Sequence, residues 1–425
     1  MSQDRSRARG VGMNHCALLE GQGKVCGMAT KIAVIFGGRS PEHDVSIKTG
    51  LQALDALDQR TFDAFPVYIG LDGTWWVGDA LRKDGKRLPD TSALSAVRLE
   101  RRFDSAGGRL VATARAGLFR KTAEYTFDVA LLALHGLNGE DGRLQGWFEL
   151  YGVPYTGMRL LSSALLMDKG ATKRILAQSG VPMLPFRTIN RPIQGLMPSL
   201  AEAERLIAGL EFPLIVKPTH LGSSIGVARV ETLEELRACL PPIFLLDTQA
   251  IVETCVPDLV EYNIAVATRD GAPRTSAIER PKSSAQLLDF KEKYLSGSNG
   301  KKGAAKVAGA GSQGMLSLTR DINPDLQPTA EVNIRRWAQT CYALTGGAGA
   351  PRIDFLSNAT TGEIWLNEVN PCPGSFAYFL WEAADPPVAF PELLDTLIRE
   401  AMSLNADLEL PADPTLPEAR LYPRS

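Results

Sequence analysis

Hydrophobic positions along the chain follow two rhythms. The run KIAVIFG at 31–37 is apolar without alternation and ends in Gly37-Gly38, the pattern of a parallel strand covered on both faces and feeding a loop. A helix is expected over about 45–59, then a strand at 65–69 (FPVYI), and FDVALLAL at 127–134 reads as a further buried strand ending at His135-Gly136. Strand–loop–helix alternation of this kind predicts a doubly wound α/β domain with ligand sites at the carboxyl ends of its strands. The stretch 72–126, with Trp75-Trp76 and Gly107-Gly108, breaks that rhythm and reads as an antiparallel insertion.

The second half is patterned differently. A helical segment around 168–180 stops at Gly180, and VPMLPF follows as a linker or edge strand. FPLIVK at 212–217 predicts a strand, followed by a loop from Pro218 to Gly226 and another strand from Val227. Residues 231–239 look helical, with Glu231, Glu234 and Glu235 at the end where the helix dipole favours negative charge. Residues 250–253 and 261–267 read as strands. The stretch from Ser296 to Gly314, rich in glycine and carrying Lys301, Lys302 and Lys306, reads as a mobile lid. Residues 405–425 are proline-rich without a helical period, and residues 1–27 precede the first strand as a disordered arm or an over-called start.

Composition narrows the function classes. A chain of 425 residues has room for two to four domains, and 44% hydrophobic with 22% charged residues is ordinary globular usage. Forty-six Lys and Arg against 48 Asp and Glu leave a net charge of −2, which removes the electrostatic case for nucleic acid or an anionic membrane surface. No apolar run reaches the roughly 18–20 residues that span a bilayer. The six cysteines are scattered, with no Cys-x-x-Cys pair and no zinc spacing, so free thiols in a reducing cytoplasm are expected. The N-terminus lacks the continuous apolar core of a secretory signal.

Four segments bear chemistry. GGRSPEHDVS at 37–46 sets Glu42 beside a strand's carboxyl end, either as a functional acid or as a solvated acid on a tight turn. LHGLNGEDGRLQG at 134–146 places His135 among glycines, as a site residue or merely a helix cap. Lys217 ends an apolar strand and GSSIG follows at 222–226: backbone N–H groups and an ammonium suited to phosphates, or a structural hairpin. RID at 352–354 and WLNEVNPCPG at 365–374 are the most specific. Alternation puts Arg352 with Asp354, and Glu368 with Asn370, on one face each of neighbouring strands, an all-oxygen set suited to Mg²⁺. An acid–Arg ladder on a solvated sheet is the alternative, but Ile353, Phe355, Ile364 and Trp365 argue for a covered sheet.

Taken in order, these motifs resemble those of the D-alanine–D-alanine ligases of the ATP-grasp superfamily. The likeness runs from about Lys31 to about Arg399 and also draws on PYTG (154–157), SALLMDK (163–169) and DFKEKY (289–294). It implies a three-domain ATP-grasp architecture, α/β with an α+β character in the ATP-grasp part. The expected bounds are an arm at 1–30, an N-terminal α/β domain at 31–157, a central subdomain at 158–249, a C-terminal subdomain at 250–404 and a tail at 405–425.

Carried over position by position, the resemblance puts Lys169, Lys217 and the loop Gly222, Ser223, Ser224 and Gly226 on ATP phosphates. It puts Glu253 and Val256 at the adenine, and Glu261 at the ribose. It implies two Mg²⁺ ions, replaceable by Mn²⁺, on Asp354, Glu368 and Asn370. Glu42 and His135 fall at the first substrate's ammonium, Glu42, Ser223 and Tyr294 in a hydrogen-bonded triad, Arg352 and the Gly374 N–H at an oxyanion, and Lys293 at the second substrate's carboxylate. Phe379-Leu380 stand where the family usually has serine–leucine on the acceptor side, and Leu221 replaces a usual acid.

The implied reaction joins two D-alanines for peptidoglycan precursor synthesis in the cytoplasm. Implied partners are small molecules, with neither nucleic acid nor membrane, and relatives are homodimers. A ligase of the same superfamily with another, bulkier acceptor and a silent nucleotide binder are the competing readings; the latter predicts a lost metal ligand or phosphate lysine, and all are present.

Overall fold

The computed structural model describes residues 29–82, 88–92, 94–102, 107–112, 123–282 and 320–406. The N-terminal part comprises β1 (Thr30–Gly37), α1 (His43–Ala56), β2 (Phe62–Ile69), β3 (Trp75–Val77), β4 (Ala96–Arg101), β5 (Gly108–Ala112), β6 (Glu124–Phe127), β7 (Val129–Leu132) and α2 (Arg143–Tyr151). Its seven strands form one sheet in the order β6-β5-β4-β3-β2-β1-β7. β1 pairs in parallel with β2 and β7, whereas β2 to β6 are linked antiparallel, so the irregular stretch after Ile69 is an antiparallel extension of a parallel centre.

The unbroken apolar run of β1 has a direct cause. Ile32, Val34 and Phe36 enter one core while Ala33 and Ile35 enter another, so both faces are covered and no position is left for a polar residue. Asp128 interrupts the expected 127–134 strand, its carboxylate accepting the Lys31 N–H at 2.9 Å, and splits it into β6 and β7.

α3 (Leu160–Met167) and α4 (Lys169–Leu176) follow, then β8 (Phe186–Asn190), α5 (Leu200–Leu206), β9 (Leu214–Pro218), β10 (Ala228–Val230), α6 (Leu233–Leu246) and β11 (Gln249–Thr254). The strands make a four-stranded sheet, β10-β9-β11-β8, with α5 and α6 on one face. α6 starts where expected, Thr232 accepting the Glu235 N–H at 3.2 Å, but runs seven residues beyond 239. Pro241-Pro242 would ordinarily stop it. Burial of Leu236, Leu240, Ile243 and Phe244 on one stripe holds the helix through them.

The last part holds β12 (Leu259–Arg269), β13 (Ala272–Pro281), β14 (Arg320–Ile322), α7 (Pro328–Leu344), β15 (Arg352–Asn358), β16 (Ile364–Asn370), α8 (Tyr378–Glu382) and α9 (Phe390–Ala406). Its five-stranded antiparallel sheet has the order β14-β13-β12-β15-β16, covered by α7 through Ile334, Ala338, Cys341 and Tyr342. α9 crosses back: Leu393, Leu394, Leu397 and Ile398 share a core with Ile32, Val34 and Phe36 of β1. α9 thus covers one face of the first sheet and ties the last described helix to the first described strand. Among the described residues no helix is long and apolar enough to cross a membrane.

Candidate active site

The first half of the site is built where β1 and β7 end. Gly37 has φ +92°, and a Cβ there would lie 2.3 Å from the Ile69 carbonyl oxygen, so only glycine makes this turn. Ser46, in the first turn of α1, accepts the Gly37 N–H at 2.8 Å and donates to the Ala133 carbonyl at 2.6 Å, tying the helix start to both strands. This presents Glu42 immediately before α1. Gly136, at φ +68°, lets the carboxylate lie against the backbone, since a Cβ would come within 2.3 Å of Glu42 Oε2. The Ser223 hydroxyl donates to Glu42 Oε1, joining the first domain to the 218–226 loop. Burial pushes the Glu42 carboxyl above its usual range, against that hydrogen bond.

His135 is buried with both ring nitrogens engaged. Nδ1 is 2.7 Å from the Cys372 carbonyl and Nε2 is 2.8 Å from Thr49 Oγ1. A carbonyl only accepts, so Nδ1 carries the proton and the Thr49 hydroxyl donates to Nε2. Thr49 Oγ1 in turn accepts the Ser375 N–H at 2.9 Å. Burial pulls His135 down to about 4, so the ring is neutral, as this bonding requires. Glu140 accepts the Gly136 N–H at 2.6 Å and the Cys372 N–H at 2.7 Å; burial and the nearby Glu42 charge push it up to about 8.

The segment after β16 closes this corner. It begins at Gly374 and passes through Ser375, Phe376 and Ala377 at φ 53°, 54° and 49°, three successive non-glycine residues in the left-handed region. Each costs about 1–2 kcal/mol. The turn is held by Ser375, which bonds to Thr49 through its N–H and to Gln52 through its hydroxyl (2.6 Å), and by the buried Phe376 ring.

The second half is a cleft of about 970 Å³ between the four- and five-stranded sheets, lined by Lys169, Lys217, Gly222, Ser224, Glu253, Val256, Glu261, Asp354 and Glu368 among others. Lys217, on β9, places Nζ 2.7 Å from Glu253 Oε2 and 3.0 Å from Asn367 Oδ1. Lys169, the first residue of α4, donates to the Leu221 carbonyl at 2.7 Å and lies 3.4 Å from Glu368. One turn on, Lys173 Nζ is 2.6 Å from Glu253 Oε1 with a side chain only 1% exposed. Burial pushes Glu253 up, but the Lys217 and Lys173 ammonium groups prevail and hold it at about 2. Its carboxylate is therefore engaged by the lysines. The loop itself carries Ser223 and Ser224 at φ 54° and 58° before Gly226 at 71°.

The paired strands β15 and β16 carry the acidic set. Asp354 stands opposite Glu368, and Arg352 opposite Asn370, as alternation requires. Arg352 grips Asp354 with two bonds of 2.7 Å, and Asn370 Nδ2 donates to Asp354 Oδ2 at 2.9 Å. Among the described residues no group of three or more His, Cys, Asp and Glu is gathered as for a fully protein-ligated metal. Two carboxylates plus an amide beside a cleft are instead the sparse oxygen set of Mg²⁺, which keeps waters and takes substrate phosphates. The donor set fits that ion.

The Arg320 guanidinium lies 4.8 Å from the centre of the Phe379 ring, and Arg320 is itself held by Glu279 at 2.8 Å. Leu380 is fully buried, its side chain part of the core. Lys293 and Tyr294 lie outside the described residues, as does the lid sequence from Ser296 to Gly314. Sequence reasoning missed Lys173, Thr49, Glu140 and Asn367 as site residues. The four-residue spacings from Lys169 to Lys173 and from Gly136 to Glu140 were readable signals; the partners of Thr49 and Asn367 are remote in sequence and left none.

Two family profiles match: "D-ala D-ala ligase N-terminus" over residues 31–158 and "D-ala D-ala ligase C-terminus" over 175–399. A D-alanine–D-alanine ligase of Chlorobium chlorochromatii is 34% identical over 348 residues, covering 81% of this chain and 89% of the relative. The solved D-alanine-D-alanine ligase of Coxiella burnetii superposes with a TM-score of 0.70 at 25% identity, over 89% of this chain and 95% of that one. The VanG D-Ala:D-Ser ligase of Enterococcus faecalis gives 0.68 at 28% identity, over 88% and 100%. With both profiles matched and relatives covered nearly end to end, the chain belongs to the D-alanine–D-alanine ligase family, enzymes built on the ATP-grasp fold.

Proposed function

We propose that the protein joins two D-alanine molecules at the expense of ATP, through an acyl phosphate. A carboxylate is a poor acceptor of an amine because hydroxide is a poor leaving group, so the first D-alanine takes the γ-phosphoryl group before the second attacks. That transfer needs charge neutralisation more than covalent help, and Lys169, Lys217 and the N–H groups of 222–226 line a cleft large enough for ATP. Asp354, Glu368 and Asn370 would hold two Mg²⁺ ions, which neutralise phosphate charge when bound. Glu42 faces the ammonium of the first D-alanine, with the neutral His135 orienting the corner. Arg352 and the Gly374 N–H receive the oxyanion that forms as the second amine attacks. Ser223, bonded to Glu42, acts as a positioning group; Tyr294 as a third member and Lys293 at the acceptor carboxylate are roles that the family likeness alone supports. Dependence on ATP supports a cytoplasmic setting.

The observation that carries this reading is the Ser223–Glu42 bond, which brings the amino-acid corner onto the phosphate loop. Phe379 under Arg320 favours a second reading, a ligase with another acceptor, and the likeness to a D-Ala:D-Ser ligase gives that reading weight. The test is phosphate release and product mass with ATP, Mg²⁺ and D-alanine alone or paired with D-serine and bulkier D-amino acids. Dipeptide from D-alanine alone supports the first reading, and product only with a second acceptor supports the other. Asp354→Asn should lower turnover by at least about 10²-fold; a variant that keeps turnover and loses only ATP affinity would count against both.

A further inference from the structure

His220 takes no part in the reaction described above, yet it sits between the two structures that hold the phosphate lysine. Its N–H donates to Asp247 Oδ2 at 2.7 Å and its Nδ1 to Asp247 Oδ1 at 2.9 Å, while Nε2 is 3.6 Å from Asp168 Oδ2. Asp247 closes the end of α6 and also accepts the Thr248 N–H at 2.6 Å, so this anchor is rigid. Asp168 is the residue before Lys169 and caps α4 by accepting the Ala171 N–H at 2.8 Å. Lys169 is bonded to both neighbours of His220: its N–H to the Thr219 carbonyl at 3.3 Å and its ammonium to the Leu221 carbonyl at 2.7 Å.

We propose that His220 is a positioning residue for nucleotide binding, its imidazolium bridging Asp247 and Asp168 so that Lys169 and the loop at 218–226 are held in register for the ATP phosphates. The proposal rests on the reading that the cleft binds ATP. The groups that face the ring are Asp247 from the end of α6, Asp168 from the α3–α4 junction and Lys169 from α4. Two carboxylates against one ammonium favour the charged ring, and the Asp247 hydrogen bond raises His220 above its ordinary value of 6.5. The side chain is 35% exposed, so it exchanges protons with solvent. Because the folded value is raised, the bridge is intact below it and is lost as pH rises through it. Without the charge, Asp168 and Asp247 repel across the loop and Lys169 is drawn toward them, away from the cleft.

A corner brace with no functional role predicts a change in stability alone; the positioning role predicts a split between kinetic constants. With Mg²⁺-ATP and D-alanine between about pH 6 and 9, His220→Gln should raise KM for ATP about five-fold at the acid end, the scale of a partly exposed ion pair, with kcat and the D-alanine KM little changed. The wild-type KM should climb with pH and meet the variant's curve at the alkaline end. His220→Lys, charged throughout, should keep a low KM across the range. Asp168→Asn preserves the helix cap but removes one of the two carboxylates, and should move the wild-type transition to lower pH. Superimposable curves for wild type and His220→Gln, an equal shift in the D-alanine KM, or a transition unmoved by Asp168→Asn would overturn the proposal. A wild type that binds no nucleotide overturns the ATP reading and this proposal together, whereas a binding wild type matched by His220→Gln overturns only the proposal.

Discussion

Two glutamates lie buried in the two halves of the site, Glu140 near Glu42 and Glu253 against Lys173 and Lys217, at 9% and 2% exposure. Glu140 meets two backbone N–H groups and another carboxylate, and is pushed to about 8. Glu253 meets two ammonium groups and is held at about 2. Depth alone would have raised both; the counter-charge decides which one ionises. Counter-charge thus leaves a neutral acid beside Glu42 and an ionised one between Lys173 and Lys217.

The sharpest way to break that contrast is Glu253→Gln, which leaves Lys173 and Lys217 buried without their partner. It should cost about 3–5 kcal/mol in denaturant unfolding, and adding Lys173→Met should recover part of the loss. A loss below about 1 kcal/mol would mean that the lysines do not need the carboxylate. The pH dependence has a definite sign. The stability contributed by Glu253 is complete above its ordinary 4.5 and fades as pH falls toward 2.

Glu140 works the other way. Between 4.5 and about 8 it is protonated when folded and ionised when unfolded, so wild-type stability should fall as pH rises through that window. Glu140→Gln removes the fall, and the difference between the two proteins should change by about 4 kcal/mol from pH 5 to pH 8.5. Parallel stability–pH curves would show that Glu140 is not the neutral acid described. On the same corner, His135→Asn reaches Cys372 but not Thr49; one lost hydrogen bond should raise KM for the donor amino acid by roughly ten-fold and leave that for ATP unchanged. The smallest effect is on the surface. Asp395→Ala breaks an exposed pair with Arg399 one helical turn away and should change stability by less than about 0.5 kcal/mol, which isolates burial as the variable in the other pairs.

Legibility in the sequence followed the range of the interaction. The period-two pattern of β15 and β16 put Asp354 and Glu368 on one face, and pairing brought them opposite each other. The run of β1 was readable because covering both faces leaves a continuous apolar string. A one-residue interruption was not: Asp128 splits a continuous apolar run by accepting the Lys31 N–H. α7 and α9 went unassigned, since their apolar stripes had no local partner to announce them. α9 packs on β1, more than 350 residues earlier in the chain.

What the sequence by itself determined is the set of local geometries: strands that alternate, turns that only Gly37 and Gly136 can make, a helix that stacks Lys173 on Lys169, and a family likeness running through motifs in order. The tertiary structure alone decided which of these groups are charged and which are paired. The proton on His135 is assigned by Cys372, 237 residues away, and Glu140 meets the Cys372 N–H 232 residues away. Ser223 reaches Glu42 across 181 residues. Burial and counter-charge set a proton's affinity, and both are properties of atoms brought together in space rather than of neighbours along the chain.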